Sequence, residues 1–148
     1  MRKLFSKNGK KGFTLAELLI VVAIIGVLVA IAIPIFSSQL EKSRENTDIA
    51  NLRAAKAAAV AMYLDDNESA GTYKFDAQKG VLVASTESVN GYGKGTAKDG
   101  GCEEFYMSST ENYAGTTVAT DKIIQVVITD SAASTSEADI ALSWVAAE

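Results

Sequence analysis

The stretch "KKGFTLAELLIVVAIIGVLVAIAIPIF", Lys10–Phe36, decides the fold of this chain. From Leu18 to Phe36 there are 19 residues, and all except Gly26 and Pro34 are strongly hydrophobic. As a helix this run would span about 28 Å, close to the roughly 30 Å hydrocarbon core of a bilayer. One acid, Glu17, stands at its start, where a charge within the membrane is energetically costly. A functional role would offset that cost.

The residues before this run are basic and include no acid; they are Arg2, Lys3, Lys7, Lys10 and Lys11. Such a charge bias keeps this end on the cytoplasmic side and places everything after Phe36 outside. Three interpretations of the hydrophobic run remain open. It is a permanent single-pass anchor, or a secretory signal cleaved after the small-x-small triplet Ala30–Ala32, or a helix retained after cleavage that precedes it.

Residues 11–34, "KGFTLAELLIVVAIIGVLVAIAIP", resemble the N-terminus of a type IV prepilin, the precursor of a pilus subunit. The resemblance implies that residues 1–12 are a leader, which a prepilin peptidase removes by cutting after Gly12. It also implies that the new N-terminal amine of Phe13 is methylated, and that residues 13–36 form a hydrophobic helix for membrane insertion and assembly. Pro34 falls where such helices commonly kink or partly melt in fibres.

The resemblance also implies a purpose for Glu17, five residues into the mature chain. In the family this glutamate neutralises the N-terminal amine of a neighbouring subunit as the helices bundle. Each charge alone is costly in an apolar setting, whereas the two together are tolerable, so the pair would select the register of assembly. The alternative is an acid at a helix start that accepts hydrogen bonds from free backbone amides.

The helical pattern continues after Pro34 to about residue 68, with no glycine until Gly71. Apolar residues recur at helical spacing and predict one buried stripe, with the charged residues on the opposite face. The stripe comprises Leu40, Ile49, Leu52, Ala55, Ala59, Met62 and Tyr63. A helix of this kind needs a domain to lie against.

Beyond Gly71 the sequence alternates β-prone runs with glycine, serine, asparagine and aspartate clusters. The runs are residues 72–75, 81–86, 104–108, 122–129 and 140–146. They predict an antiparallel sheet of about four strands on the helix, an α+β head spanning residues 37–148. Residues 89–101 hold five glycines and predict a loop, either a flexible exposed connection or a ligand contact through Tyr92. Trp144 is predicted to lie in the core on the sheet face.

The composition argues against catalysis and against nucleic-acid binding. The chain has no histidine and one cysteine, Cys102, so it lacks the usual proton shuttle and any intrachain disulfide. Residues 65–69, "DDNES", offer oxygen donors for calcium but do not match an EF-hand, so we expect no metal or cofactor. From Phe13 onward 9 basic residues face 18 acidic ones, a net charge of −9 that repels nucleic acid.

We therefore expect a structural protein and not an enzyme. The resemblance implies a single-pass protein of the plasma membrane that later forms a surface pilus, a helical homopolymer. Its implied partners are further copies of itself, the prepilin peptidase, the assembly machinery and membrane lipid before assembly. One alternative is a pseudopilin of a type II secretion or DNA-uptake system. Another is a secreted soluble binding domain, released by cleavage after Ala32.

Overall fold

The computed structural model of the chain describes residues 12–66, 70–129 and 139–147. These residues form two units, Met1–Phe36 and Ser37–Glu148, and the boundary lies within one long helix. The described elements are a helix and six strands: α1 Leu15–Asp66, β1 Gly71–Asp76, β2 Val81–Ala84, β3 Phe105–Tyr106, β4 Asn112–Tyr113, β5 Lys122–Thr129 and β6 Asp139–Ala146.

The first unit is the apolar part of α1, which begins at Leu15. Its hydrophobic side chains are exposed all round the helix, and Leu15 is 87% exposed. By length and composition, α1 is apolar enough in this part to cross a membrane. Pro34 lies inside the helix, which continues past it to Asp66. The kink predicted at Pro34 remains a prediction.

The second unit confirms the predicted α+β fold. Its main sheet is antiparallel and has four strands in the order β2-β1-β5-β6. β5 and β6 pair along their whole length, from Lys122 opposite Ala146 to Thr129 opposite Asp139. The run at 104–108 does not join this sheet, because β3 pairs with β4 in a separate two-stranded sheet, and β4 is too short to show a strand pattern.

The core lies between the sheet and the second half of α1. The helix contributes Leu52, Ala55 and Ala59, each fully buried, as the predicted stripe required. Alternate strand residues face them, since side chains alternate across a strand. The buried residues that the main sheet contributes to this cluster are Phe75, Ile124, Val126, Ile128 and Leu142. The predicted stripe began too early, because Leu40 is 42% exposed.

Three acids of α1, at positions 41, 45 and 48, lie on the buried face, which contradicts the prediction that the charges lie opposite the stripe. Glu41, Glu45 and Asp48 are 3%, 0% and 0% exposed. These three acids and Leu52 are spaced by four, three and four residues along α1. The acids therefore lie on the same helix face as the apolar core. They avoid the cost of burial because this part of the helix packs against backbone N–H groups of a loop and not against the sheet.

Candidate functional site

The hydrophobic helix begins with a capping box formed by Thr14 and Glu17. The backbone N–H and the hydroxyl of Thr14 both donate to Glu17 Oε2 at 2.8 Å. In return, the backbone N–H of Glu17 donates to Thr14 Oγ1 at 3.2 Å. This reciprocal arrangement satisfies amides that the first turn of a helix leaves free. In the monomer, Glu17 therefore stabilises the helix start, the simpler of its two predicted roles.

Gly12 and Phe13 precede the helix and are accessible to another protein. Residues 12–14 have no helical or strand structure, and Phe13 is 86% exposed. A Cβ added at Gly12 would meet no atom within 4 Å. Packing within the chain therefore does not require glycine at this position. The predicted cleavage after Gly12 and methylation of Phe13 remain predictions.

A second constellation lies in the head, where buried carboxylates of α1 hold a strap, defined here as residues 93–102. Asp48 is at its centre: Oδ1 accepts the N–H of Lys94 at 2.9 Å, and Oδ2 accepts the N–H of Gly95 at 2.6 Å. The hydroxyl of Tyr113 also donates to Oδ2, at 3.0 Å. These three donors compensate the carboxylate for its loss of water.

Glu41 and Glu45 hold the rest of the strap in the same way. Glu41 Oε1 accepts the N–H and the hydroxyl of Thr96, at 2.6 and 2.7 Å. Glu45 accepts the N–H of Gly100 on Oε1 at 2.7 Å and the N–H of Cys102 on Oε2 at 3.1 Å. The strap is a loop, as predicted, but it is fixed on the helix and is not the flexible exposed connection considered above.

The glycines of the strap are required by this close approach. A Cβ at Gly100 would overlap the backbone of Lys42, and a Cβ at Gly93 would overlap the backbone of Ala119. Only glycine lets two backbones come this close. Tyr92, which the sequence offered as a ligand contact, is instead held within the head. Its hydroxyl donates to the carbonyl of Phe75 and accepts the N–H of Ile124, both at 2.9 Å.

The pKa values of Asp48, Glu41 and Cys102 depart from the ordinary values of these groups. Burial raises the pKa of Asp48, and its hydrogen bonds only partly oppose this. Burial also raises the pKa of Glu41, but hydrogen bonds from Thr96 and Arg44 outweigh it, so the net pKa is lowered. Burial, followed by the nearby carboxylate of Glu45, raises the pKa of the Cys102 thiol to about 11. At neutral pH this thiol is therefore protonated and weakly nucleophilic.

The remaining predicted residues have mixed outcomes. Trp144 packs on the core as predicted, with its ring centroid 6.1 Å from that of Tyr92. Within the described residues, no group of three or more aspartate, glutamate or cysteine side chains is placed to hold a metal ion. The calcium hypothesis rests on residues 65–69, of which 67–69 lie outside the described part of the chain.

The three strap-binding acids were missed at the level of sequence, although a signal was present. They lie on the same helix face as Leu52, and a charge on the apolar face of a helix has no access to water. Residues 89–101, which include most of the strap, hold five glycines, and these leave backbone N–H groups open to approach. Buried acids on a stripe, together with a glycine-rich segment elsewhere, would have predicted carboxylate-to-backbone pairing.

Comparison with known proteins agrees with the N-terminal motif. Residues 7–33 match a family described as "Prokaryotic N-terminal methylation motif". Over 119 residues the chain is 34% identical to the fimbrial protein EcpC of Eikenella corrodens, covering 74% of this chain and 77% of that protein. No solved structure matches the chain.

Other relatives match a shorter part of the chain. The chain is 35% identical over 88 residues to the type IV major pilin protein PilE of Neisseria gonorrhoeae, covering 55% of this chain and 53% of that protein. It is 36% identical over 80 residues to fimbrial protein Q of Moraxella bovis, covering 53% and 51%. The chain thus spans about half the length of these relatives. All three relatives are fimbrial or pilin proteins by name, and none is an enzyme.

Proposed function

The chain belongs to the type IV pilin family, and from that premise we propose that it is the structural subunit of a type IV pilus. The observation that carries the proposal is an exposed processing motif placed directly before an uncovered apolar helix. Gly12 and Phe13 are exposed, and the hydrophobic side chains that follow have no protein cover in the monomer. Such a helix needs lipid or other helices around it.

Lipid covers the helix first, and neighbouring subunits cover it afterwards. The precursor is a single-pass protein of the plasma membrane, with its basic leader in the cytoplasm and residues 37–148 outside. In the fibre, helices of like subunits replace lipid. Apolar surface is equally satisfied in both settings, so close packing and charge pairing decide whether assembly is favourable.

Processing creates the charge that Glu17 pairs with. A prepilin peptidase cuts after Gly12 and methylates the new amine of Phe13, which stays protonatable. Glu17 is exposed in the monomer and accepts hydrogen bonds through Oε2 from Thr14. In the fibre, its carboxylate meets the amine of a neighbouring subunit, and each charge removes the cost of burying the other. Pro34 lets the helix bend as it packs.

Mass spectrometry of fibres sheared from cells tests this function. We expect a mature chain that begins at Phe13 with one additional methyl group on its amine. Replacing Gly12 with a bulkier residue should leave the precursor uncut in the membrane. The chain itself has room for a side chain there, so a loss of cleavage would reflect recognition by the peptidase. A mature chain that begins at Ile33 and is recovered from the medium would establish the secreted domain instead.

A further inference from the structure

Four exposed basic side chains gather at the start of the head, and we call them the basic collar: Lys42, Arg44, Lys94 and Lys98. Two belong to the first turns of α1 after Phe36, and two belong to the strap. Lys98 Nζ donates to Ser37 Oγ, so the tip of the strap lies at the first residue of the second unit. Lys98 and Lys42 therefore lie near Ser37, the first residue of the second unit, whereas Lys94 lies beside Asp48, further along α1.

The acids of the same region are turned inward. In sequence, residues 41–48 hold three acids and two bases, which reads as an acidic stretch. In the structure those three acids are buried under the strap, and N–H and O–H donors occupy their oxygens. One of those donors is Arg44 of the collar, whose guanidinium pairs with Glu41 Oε2 at 3.1 Å, so the attraction to an anion rests on the three lysines. Asp99 is the one exposed acid of residues 37–48 and 93–102, and its Oδ1 accepts the N–H of Gly101. The surface that remains is basic.

The rest of the head carries the opposite charge. Residues 37–148 contain 17 acids and 9 bases; residues 37–48 and 93–102 account for four of each, which leaves 13 acids and 5 bases elsewhere. The remainder is therefore net −8. An anionic surface would repel this remainder and attract the collar, so the head would turn its collar toward such a surface.

We propose that the basic collar binds the phosphate groups of anionic lipids while the protein is still in the membrane. The proposal rests on the membrane insertion argued above. Lys42 stands five residues beyond Ser37, about 8 Å along a helix, which is close to the depth of one headgroup layer. Long basic side chains extend toward such a layer while their stems stay on the protein. Each base near an anionic surface adds a favourable, salt-sensitive attraction.

This binding has a consequence for assembly. Lipid bound at the collar holds the head against the bilayer, and those contacts must break when the subunit leaves lipid for the fibre. The collar would thus favour the membrane pool over the fibre, more strongly as the anionic lipid content of the membrane rises. Weak individual contacts would still let the subunit leave the membrane for the fibre, whereas a tight lipid site would prevent its extraction.

Lysine footprinting of the full chain in lipid nanodiscs tests the proposal. Acetic anhydride, an uncharged reagent, labels each lysine, and mass spectrometry gives the rate at every site. In discs with about 30% phosphatidylglycerol, we expect Lys42 and Lys98 to react at least about threefold more slowly than in phosphatidylcholine discs. Salt at about 0.5 M should remove the difference. Lys79, exposed on the far turn between β1 and β2, should react equally in both discs.

A matched pair of double variants provides the second readout. Lipid that binds only the folded head raises its unfolding temperature. The wild type should therefore unfold at a higher temperature in phosphatidylglycerol discs than in phosphatidylcholine discs. Lys42→Gln with Lys98→Gln should lose this increment, whereas Lys79→Gln with Lys122→Gln should keep it. If both double variants lose the increment equally, attraction is general and the collar is not a binding surface.

Three further outcomes are decisive. Equal lysine rates in the two kinds of disc would overturn the proposal. Slowing by inorganic phosphate in phosphatidylcholine discs would assign the collar to a soluble anion and would also overturn it. If peptides from residues 13–36 are missing from the disc fraction, the chain is not membrane-inserted and the proposed function itself fails. Inserted protein without a phosphatidylglycerol effect refutes the collar alone.

Discussion

Glu17 and Asp48 are both acids on α1, and both accept hydrogen bonds from backbone N–H groups. Their surroundings differ. Glu17 is exposed at the helix start, whereas Asp48 is fully buried under the strap. Leaving donors unpaired is costly only where water cannot replace the lost partner. We therefore expect Asp48 to act in folding of the head, and Glu17 to act in the step at which its surroundings become apolar.

Replacing Glu17 with alanine should spare processing and reduce fibre. The variant should insert and be cut after Gly12 as the wild type is, because the apolar segment loses its one acid. Assembly should fall by about tenfold or more, since each incoming amine would be buried without a partner. The measurement compares the cleaved membrane pool with sheared surface fibre. A normal fibre yield would leave Glu17 with its capping role alone.

Replacing Asp48 with alanine should destabilise the head by about 3 kcal/mol, because the amides of Lys94 and Gly95 and the hydroxyl of Tyr113 lose their acceptor. Urea unfolding of residues 37–148 measures the change. Glu103→Ala is the control, since Glu103 is an exposed acid beside the strap. Equal stability of the two variants would contradict the assignment of the strap as a fixed element.

The strap illustrates how an element without helix or strand structure becomes part of the core. Gly93 and Gly95 form backbone hydrogen bonds with residues 119–122, but most other N–H groups of the strap have no backbone partner of this kind. For those groups the acids of α1 take the place of a neighbouring strand. Glycines remove the side chains that would keep the two backbones apart. The head has one cysteine and no intrachain disulfide. In this chain, hydrogen bonds between distant segments fix the loop.

The strap should give the head a characteristic pH dependence. The pKa of Glu41 is lowered from 4.5, so the stability it adds is present above that value and is lost as the pH falls through the folded-state pKa. The pKa of Asp48 is raised, so the stability it adds is present at low pH and is lost as the pH rises.

Thermal unfolding between neutral pH and pH of about 3 tests both signs. The stability difference between wild type and Glu41→Gln should shrink as the pH falls. For Asp48→Asn, the wild type should gain relative to the variant over the same range. If both variants follow the wild type in parallel, neither carboxylate titrates differently in the folded head.

The two units of the molecule differ in the surface they expose. The first exposes apolar side chains, and the second is an acidic head whose sheet is covered. The cover of the sheet is the second half of α1. Leu52 and Ala59 of that helix face Ile124 and Val126 of β5 across the core. The head therefore needs residues from both sides of Gly71 to fold.

Truncation tests that requirement. A fragment beginning at Ser37 should be monomeric and should unfold cooperatively on heating. A fragment beginning at Gly71 should aggregate, because it exposes the buried face of β1, β5 and β6 without the helix. Size-exclusion chromatography and calorimetry distinguish the two. A Gly71 fragment that is monomeric and equally stable would show that the helix is not needed as cover.

The apolar helix, the motif that precedes it, the α+β class and the four strands of the main sheet could all be predicted from the sequence. These features are local: hydrophobicity and its period add up over consecutive residues, so a short window contains them. The helix start at Thr14 and Glu17 is also readable in sequence, since its two members are three residues apart.

Which charges are buried and which face outward depends on the folded arrangement of distant segments. The bonds that bury the acids of α1 join residues far apart, with 46 positions between Asp48 and Lys94 and 57 between Glu45 and Cys102. The helix stripe and the glycine-rich segment each carry a local signal, but no local pattern specifies which acid pairs with which amide, because the partners are so far apart in sequence. The basic collar follows from that pairing: the strap covers the acids and holds Lys94 and Lys98 on the helix turns between Ser37 and Asp48, which turns an acidic stretch of sequence into a basic surface.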